Sequence, residues 1–443
     1  MAVRFNRGAV SVRSHDWTFS REKLPEKSPR IIAVADCNNF FVSCERLLRP
    51  DLEGKPVVVL SSNDGVVISR SAEAKALGMA MGEPFFKVEG FCKAHGVTVF
   101  SSNFELYERI SRDVMAVLGQ HTDSLEVYSI DEAFLSLDIA TVDDVSEYAR
   151  RVRSVVKEKT GIPVSVGLGP TKTLAKLMLD IAKRSPAGVF AWKDIKASNT
   201  FLETVPVKDV WGIGGRMGKS LQKHGVRTAR CFRDLHDDWI KKHYTIKGLH
   251  TAWELRGLPC IHLKEVEAPQ KSIQVSRSFG QDIQSFEELR QAVTRFVVTG
   301  AKRLRAQRSL ASGIEVCLAT SHFRPGFFVT GATREFHPTA YTPFLIEKGL
   351  DALAEAFRSG PRYTRAGIHL YGFVPEGTVQ RGLFRSLEED LKPRERALMR
   401  TVDRINAELR YEAVAPASVW KFEKAAWEPK KERLSTSPER LRF

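Results

Sequence analysis

The chain has 443 residues, 43% of them hydrophobic, and its 68 Lys plus Arg against 53 Asp plus Glu give a formal net charge of +15 and an isoelectric point near 9.5. That length exceeds what one ordinary core fills and predicts three or four domains at about 150 residues each, while the basic balance favours a polyanionic partner such as nucleic acid. Six scattered cysteines (Cys37, Cys44, Cys92, Cys231, Cys260, Cys317) with no CxxC pair, no apolar run near the roughly 18 to 20 residues of a membrane span, and no signal-peptide apolar region argue against a disulfide framework or a membrane protein and for free thiols in a cytoplasmic chain.

Residues 1–29 are polar and basic, with Pro25 and Pro29 near their end, and read as a mobile extension or a start site placed too early. Ile31 to Ala35 then predict a buried strand that delivers Asp36 at its carboxyl end. Asn38 or Asn39 is expected to cap a helix through Phe40-Phe41-Val42-Ser43-Cys44-Glu45, whose free N–H groups would favour phosphate beside Asp36. Pro56 to Leu60 and Val66 to Ile68 predict two more strands around the turn Asn63-Asp64-Gly65, and Ala72 to Leu77 a short helix stopped by Gly78, with Ser69 and Lys75 at its start and body. A lysine on a short helix is more often solvated than bound to a ligand.

Leu125 to Ile130 and Ala133 to Leu137 alternate as two strands joined by Asp131-Glu132, the spacing of a two-residue hairpin. Favoured turns of that length recruit Asn-Gly or Asp-Gly, so two carboxylates at the tip suggest a position kept for another purpose. Beside the Asp36 strand they would gather three carboxylates, a site for hard divalent cations; taken alone, acidic residues at a turn are usually solvated surface. A helix over 144–159 ending at Gly161 and a strand over 164–168 complete a ferredoxin-like β-α-β-β-α-β plan, followed by a helix over 171–183 carrying Lys172, Lys176 and Lys183.

Val210-Trp211-Gly212-Ile213-Gly214 fits two helices joined by a glycine hairpin, which holds a DNA phosphate on consecutive N–H groups or is simply a tight connection. Residues 257–271 suit a tether. A second β-α-β-β-α-β pattern follows: a strand over 272–279, a helix from a Ser285/Glu288 capping box to about Arg305, strands over 313–319 and up to 336, a helix from Thr342-Pro343 that Gly360 ends, and a strand over 366–374. Lys302, Arg303, Arg305 and Arg308 crowd its first helix end and suit a DNA backbone or solvent. Beyond Pro375, mixed charges, a helical segment over 397–409 and isolated Trp420 and Trp427 predict a partly disordered interaction tail.

DCNNFFVSCE from Asp36, VVISRSAEAKALG from Val66, SSNFELY from Ser101, YSIDEAF from Tyr128, GPTKTLAK from Gly169 and the VWGIG hairpin closely resemble the Y-family translesion DNA polymerases. The resemblance runs from about Arg30 onward and is strongest before residue 260. It implies a mixed α/β (α+β) fold: a palm (30–48 and 102–190), fingers (49–101), a thumb with a helix-hairpin-helix (191–256), a linker (257–271), a little finger (272–375) and a C-terminal interaction tail (376–443). It implies two Mg²⁺ ions on Asp36, Asp131, Glu132 and the main-chain carbonyl of Cys37, Phe41 as the steric gate that excludes a 2′-hydroxyl beside Phe40, and Ser69, Lys75 and Lys183 at the triphosphate. DNA would meet Gly212, Ile213, Gly214, Lys302, Arg303 and Arg305. Ala72 and Lys75 stand where many members carry tyrosine and arginine, although the UmuC branch shares both, and a point-charge lysine grips a triphosphate less firmly than a bidentate fork.

The implied activity is error-prone, template-directed DNA synthesis past lesions in the DNA-damage (SOS) response, with primer-template DNA and dNTP as substrates. A cyclase or other two-metal nucleotidyl transferase and a non-catalytic DNA-binding homologue are the alternatives, weakened by the duplex-gripping hairpin and by the three retained carboxylates. Gln380-Arg381-Gly382-Leu383-Phe384 resembles a sliding-clamp docking peptide, so Gln380, Leu383 and Phe384 would bind the clamp, unless they form an ordinary packed loop. A UmuD′-like accessory dimer and a recombinase filament are the further partners implied.

Overall fold

A computed structural model of the chain describes residues 30–138, 144–264, 269–377, 387–409 (side chains from 393), 412–417, 425 and 427–435. The extension expected over 1–29 and the docking peptide at 380–384 lie outside the described residues. In chain order, β1 (Arg30–Cys37) and α1 (Phe40–Leu48) lead into β2 (Val57–Leu60), β3 (Val67–Arg70), α2 (Ala72–Ala76), α3 (Phe85–Ala94) and β4 (Thr98–Ser101). Next come α4 (Phe104–Gly119), β5 (Ser124–Val127), β6 (Glu132–Asp138), α5 (Val145–Thr160), β7 (Val164–Gly169), α6 (Lys172–Ala182) and β8 (Val189–Ala191). Four helices follow, α7 (Ser198–Thr204), α8 (Gly215–Lys223), α9 (Ala229–Arg233) and α10 (Asp237–Leu255). The last unit holds β9 (Ile273–Ile283), α11 (Phe286–Ala306), β10 (Ser309–Thr320), β11 (Val329–Thr339), α12 (Thr342–Ala356), β12 (Tyr363–Tyr371) and β13 (Val374–Pro375), and α13 (Leu387–Glu408) packs on it.

The first sheet has the order β5-β6-β1-β7-β8, which is the ferredoxin-like arrangement with one added strand. Side chains of β1 alternate between its faces. Ala33, Ala35 and Cys37 enter the core beneath α4 and α5, whereas Val34 packs with Phe134 against Ala175 and Leu179 of α6. The same alternation places Asp36 on the α6 side. Helix α6 lies unusually close to β7 because Gly167 and Gly169 leave it room: a Cβ on Gly169 would stand 2.7 Å from Ala175 N, and one on Gly167 would overlap Leu179 N and Ala175 O.

The small sheet β3-β2-β4 has its own core of Val58, Leu60, Phe85, Val88 and Cys92, and α7 to α10 close around Leu202, Leu221, Phe232 and Leu249. The last unit has the expected β-α-β-β-α-β chain order, but its strands lie β11-β10-β12-β9, so its first strand is at an edge rather than in the centre. No helix among the described residues is long and apolar enough to cross a membrane.

Several expectations need correction. Asp131-Glu132 is not a two-residue turn: residues 128–131 form the connection, and Glu132 is the first residue of β6, paired with Asp36 of β1. Ser285 stands at the start of α11 without a side-chain cap bond, so the capping box does not form. Helix α12 stops at Ala356, before Gly360. In the tail, the helix expected over 397–409 begins earlier, since α13 runs Leu387–Glu408 over 22 residues, and Trp427 is only 5% exposed within the core of the last unit.

Candidate active site

Antiparallel registry sets Asp36 directly opposite Glu132, and Phe134 opposite both Val34 and Glu126. Directly opposed residues bring their Cβ atoms within about 5 Å, and like charges placed so repel. Helix α6 supplies the compensating charge. Lys183, just past its end, lies with Nζ 2.9 Å from Asp36 Oδ2, Lys176 Nζ sits against both Glu132 oxygens, 2.5 Å from Oε2, and Lys172 pairs with buried Glu126. Two lysines of α6 and one just beyond its end thus face three carboxylates on three neighbouring strands, which the close packing at Gly167 and Gly169 makes possible.

Asp131 is half-buried in the 128–131 connection. Its carbonyl accepts from Cys37 N at 2.8 Å, which ties the loop to the end of β1, and its Oδ1 accepts from Ser129 Oγ at 2.6 Å. Burial raises the Asp36 carboxyl above its ordinary range against the pull of Lys183, and the Asp131 charge adds to that rise. Glu132 is raised by burial too, against Lys176 and with Asp36 adding. Among the described residues no three His, Cys, Asp or Glu side chains stand in a ready metal cage; the lysines hold the charge that a cation would take. The donor set nevertheless fits a hard divalent ion. It offers carboxylate oxygens that repel one another, and the nearby thiols, Cys37 and Cys44, are buried and pushed well up, which keeps them neutral and poor ligands.

The nucleotide end is built around Asn39, whose backbone is left-handed at φ 48° and whose side chain does not cap α1. Asn39 Oδ1 instead accepts from Lys75 Nζ, and Asn38 Oδ1 accepts from Ser165 Oγ at 2.8 Å, so the first-turn N–H groups of α1 have no side-chain cap. Ser69 Oγ donates to Asn39 O at 3.4 Å. Lys75 is lowered by burial first and then by Arg70 and Lys183. Three cations crowding one another suit a polyphosphate.

Phe40 is 3% exposed and belongs to the core, whereas Phe41 is half-buried. Phe41 stacks on Tyr107 with centroids 4.7 Å apart and planes at 24°, and meets the edge of Phe104 at 5.8 Å. Tyr107 is fixed in turn by donating its hydroxyl to buried Glu45 Oε1 at 2.5 Å. At the glycine hairpin, Gly212 (φ +89°) and Gly214 are exposed around buried Ile213, and α8 begins without a side-chain cap. Lys302 and Arg303 are exposed. Arg305 is not free for DNA: it forks onto Asp403 of α13 at 2.6 and 2.8 Å and donates to Thr342 Oγ1 at 2.7 Å.

Sequence reasoning missed the roles of Lys176, Arg70, Ser129 and Tyr107. The i, i+4 spacing of Lys172 and Lys176 put both on one helix face, but only the sheet registry shows what that face meets.

The impB/mucB/samB family matches residues 35–180, its C-terminal domain residues 270–383, and the IMS family HHH motif residues 196–226. Over 386 residues the chain is 39% identical to Protein UmuC of Salmonella typhimurium, covering 85% of this chain and 90% of that protein. The chain belongs to the impB/mucB/samB family of Y-family DNA polymerases. This Y-family polymerase is also 30% identical over 303 residues to DNA polymerase IV of Corynebacterium diphtheriae, covering 67% of this chain and 65% of the relative. In fold it resembles the Y-family DNA polymerase chimera Dbh-Dpo4-Dbh, with a TM-score of 0.62 at 22% identity, over 78% of this chain and 99% of that one. It is an error-prone, template-directed translesion DNA polymerase that depends on a divalent metal. The cyclase and non-catalytic alternatives are not favoured.

Proposed function

We propose that this polymerase adds dNMP to a primer 3′-hydroxyl with two Mg²⁺ ions held by Asp36, Asp131, Glu132 and the main-chain carbonyl of Cys37. The carrying observation is the registry that sets Asp36 against Glu132 while the Cys37 N–H pins the Asp131 loop beside them. When bound, such ions lower the pKa of the attacking hydroxyl and balance charge on the leaving oxygen. The protein's own groups do the placing. Lys183, Lys75, Ser69 and the uncapped start of α1 hold the triphosphate, and Phe41, held flat by Tyr107, lies beneath the sugar. Phe40 acts from within the core.

In this reading residues 30–48 and 102–190 are the palm, 49–101 the fingers, 191–256 the thumb, 257–271 the linker, 272–375 the little finger and 376–443 the tail. The Gly212-Ile213-Gly214 hairpin grips a duplex phosphate without reading sequence. Leu383 and Phe384, with Gln380, dock on a sliding clamp, and the likeness to UmuC supports a UmuD′-like dimer and a recombinase filament as partners in an SOS response. The free thiols suit the reducing cytoplasm. The test is Mg²⁺-supported primer extension on intact and abasic templates beside duplex binding. Asp131→Asn should abolish addition and Glu132→Gln should lose most of it, with duplex affinity kept; wild-type-like extension by Asp131→Asn overturns the metal assignment.

A further inference from the structure

The tail leaves the little-finger core and crosses to the fingers. Trp427 is buried edge-on against Phe296 at 6.0 Å. Glu428 then passes over Gly280 so closely that a Cβ there would overlap its carbonyl oxygen. Beyond it, Lys430 N donates to Asn63 Oδ1 at 2.9 Å and Glu432 N to Asp64 Oδ2 at 3.1 Å, both on the turn between β2 and β3. Arg433 bonds the end of β4: its carbonyl accepts from Ser101 N at 2.9 Å and its N–H donates to Ser101 Oγ at 2.9 Å. Its guanidinium lies 4.8 Å over the Phe85 ring and 3.5 Å from Glu89 Oε1. Asn63 is the joint, since its Nδ2 also donates to Ser278 O and Phe279 O of β9 at 3.0 and 3.1 Å.

We infer that residues 427–435 are an intramolecular strap, and that the fingers face made by Asn63, Asp64, Ser101 and Phe85 is its docking site, so that the little finger is held in place before DNA arrives. Eight extended steps reach about 26 to 29 Å, enough to bridge two domains. Without the strap the little finger would hang mainly on the linker, and domains joined by small interfaces move relative to each other by default. A second tether converts docking into an intramolecular event and removes orientational freedom that DNA would otherwise have to freeze out. The strap touches none of the metal-binding carboxylates, lysines or hairpin glycines proposed above. Its end does reach the support of Phe41, where Ser435 Oγ accepts from Asn103 Nδ2 at 3.4 Å and bonds the Glu45 that fixes Tyr107. The double variant below leaves these residues unchanged, so that it tests the shape of the cleft and not the chemistry. The DNA consequence rests on the polymerase reading; the strap itself does not.

Full-length protein, the double variant Asn63→Ala with Arg433→Ala, and Trp427→Ala are compared by small-angle X-ray scattering without DNA, by anisotropy with a labelled primer-template, and by dNTP KM at saturating duplex. The expected result is a larger radius of gyration and a Kd for primer-template raised about tenfold to a hundredfold, with KM for dNTP unchanged. If Trp427→Ala loosens the little-finger core, the double variant decides, because Asn63 and Arg433 lie outside both cores. Unchanged scattering overturns the strap, whatever the polymerase activity. Expanded scattering with unchanged or tighter DNA binding overturns its preorganising role.

Discussion

Replacing Lys172 by Met tests what fastens the linker to the palm. Lys172 is 2% exposed; its ammonium pairs with Glu126, donates to His262 O at 3.0 Å and lies 4.8 Å over the Phe134 ring. Glu126 also accepts from Lys264 N at 2.7 Å. Methionine keeps most of the volume and removes the charge, which leaves a buried carboxylate with one N–H for company. Breaking a buried pair by removing one partner costs about 3 to 5 kcal/mol. Because the lost bond to His262 O holds residue 262 directly, and the Glu126 that Lys172 fixes holds Lys264 N, the cost should appear first as local opening there. At about 1.4 kcal/mol per factor of ten, amide exchange of a peptide covering 260–264 should accelerate about a thousandfold, read by deuterium uptake. Adding Glu126→Gln removes the orphan charge while keeping an acceptor for Lys264 N, and should recover about 2 to 3 kcal/mol of the loss. An acceleration under tenfold for Lys172→Met, or a double variant that opens as fast as the single one, would refute the reasoning.

Phe41→Ala should raise ribonucleotide relative to deoxyribonucleotide incorporation with little change in thermal stability, whereas Phe40→Ala should cost about 3 to 5 kcal/mol in a denaturation curve and leave sugar selection alone; the opposite pattern would move the gate. Arg305→Ala should loosen α13, seen as proteolysis within 393–409, without altering the salt dependence of duplex binding. Lys302→Ala or Arg303→Ala should each lower the salt slope by roughly one if they touch phosphate, and an unchanged slope would show them to be merely solvated. Leu383→Ala with Phe384→Ala should keep basal extension and abolish stimulation by a loaded clamp; equal stimulation of both proteins rejects docking, and lost basal activity supports a packed loop.

Both β-α-β-β-α-β units were legible because apolar alternation and helical period mark strands and helices directly. Asp36 was legible for the same reason, standing at the end of a buried strand. Glu132 was placed in the turn because its side chain is polar, yet its backbone belongs to the ladder, and sheet registry is a property of two strands rather than of either sequence. Arg305 looked like its exposed neighbours until Asp403, 98 residues away, came to meet it. The strap was invisible for a related reason. Its bonds run mostly through main-chain N–H groups, which every residue has, and Trp427 carries no periodic signal that would say which core it enters.

The two edges of the little-finger sheet illustrate how a long strand is kept from recruiting foreign chains. Strands β9 and β11 each run 11 residues and have a sheet neighbour on one side only. β11 guards itself, with Arg334 and Glu335 on it and Pro338 removing a donor near its end. β9 has no proline, and besides exposed Arg277 and an Asp282 already paired with Arg324 it offers only Gln274, Ser276, Ser278 and Gln281 as polar side chains, which are weaker deterrents. Its cover comes from elsewhere in the chain, through Asn63 on two of its carbonyls and Glu428 against Gly280. A chain cut between α13 and Trp427 would therefore bare a sticky β edge, and its first symptom should be concentration-dependent aggregation on warming rather than loss of catalysis.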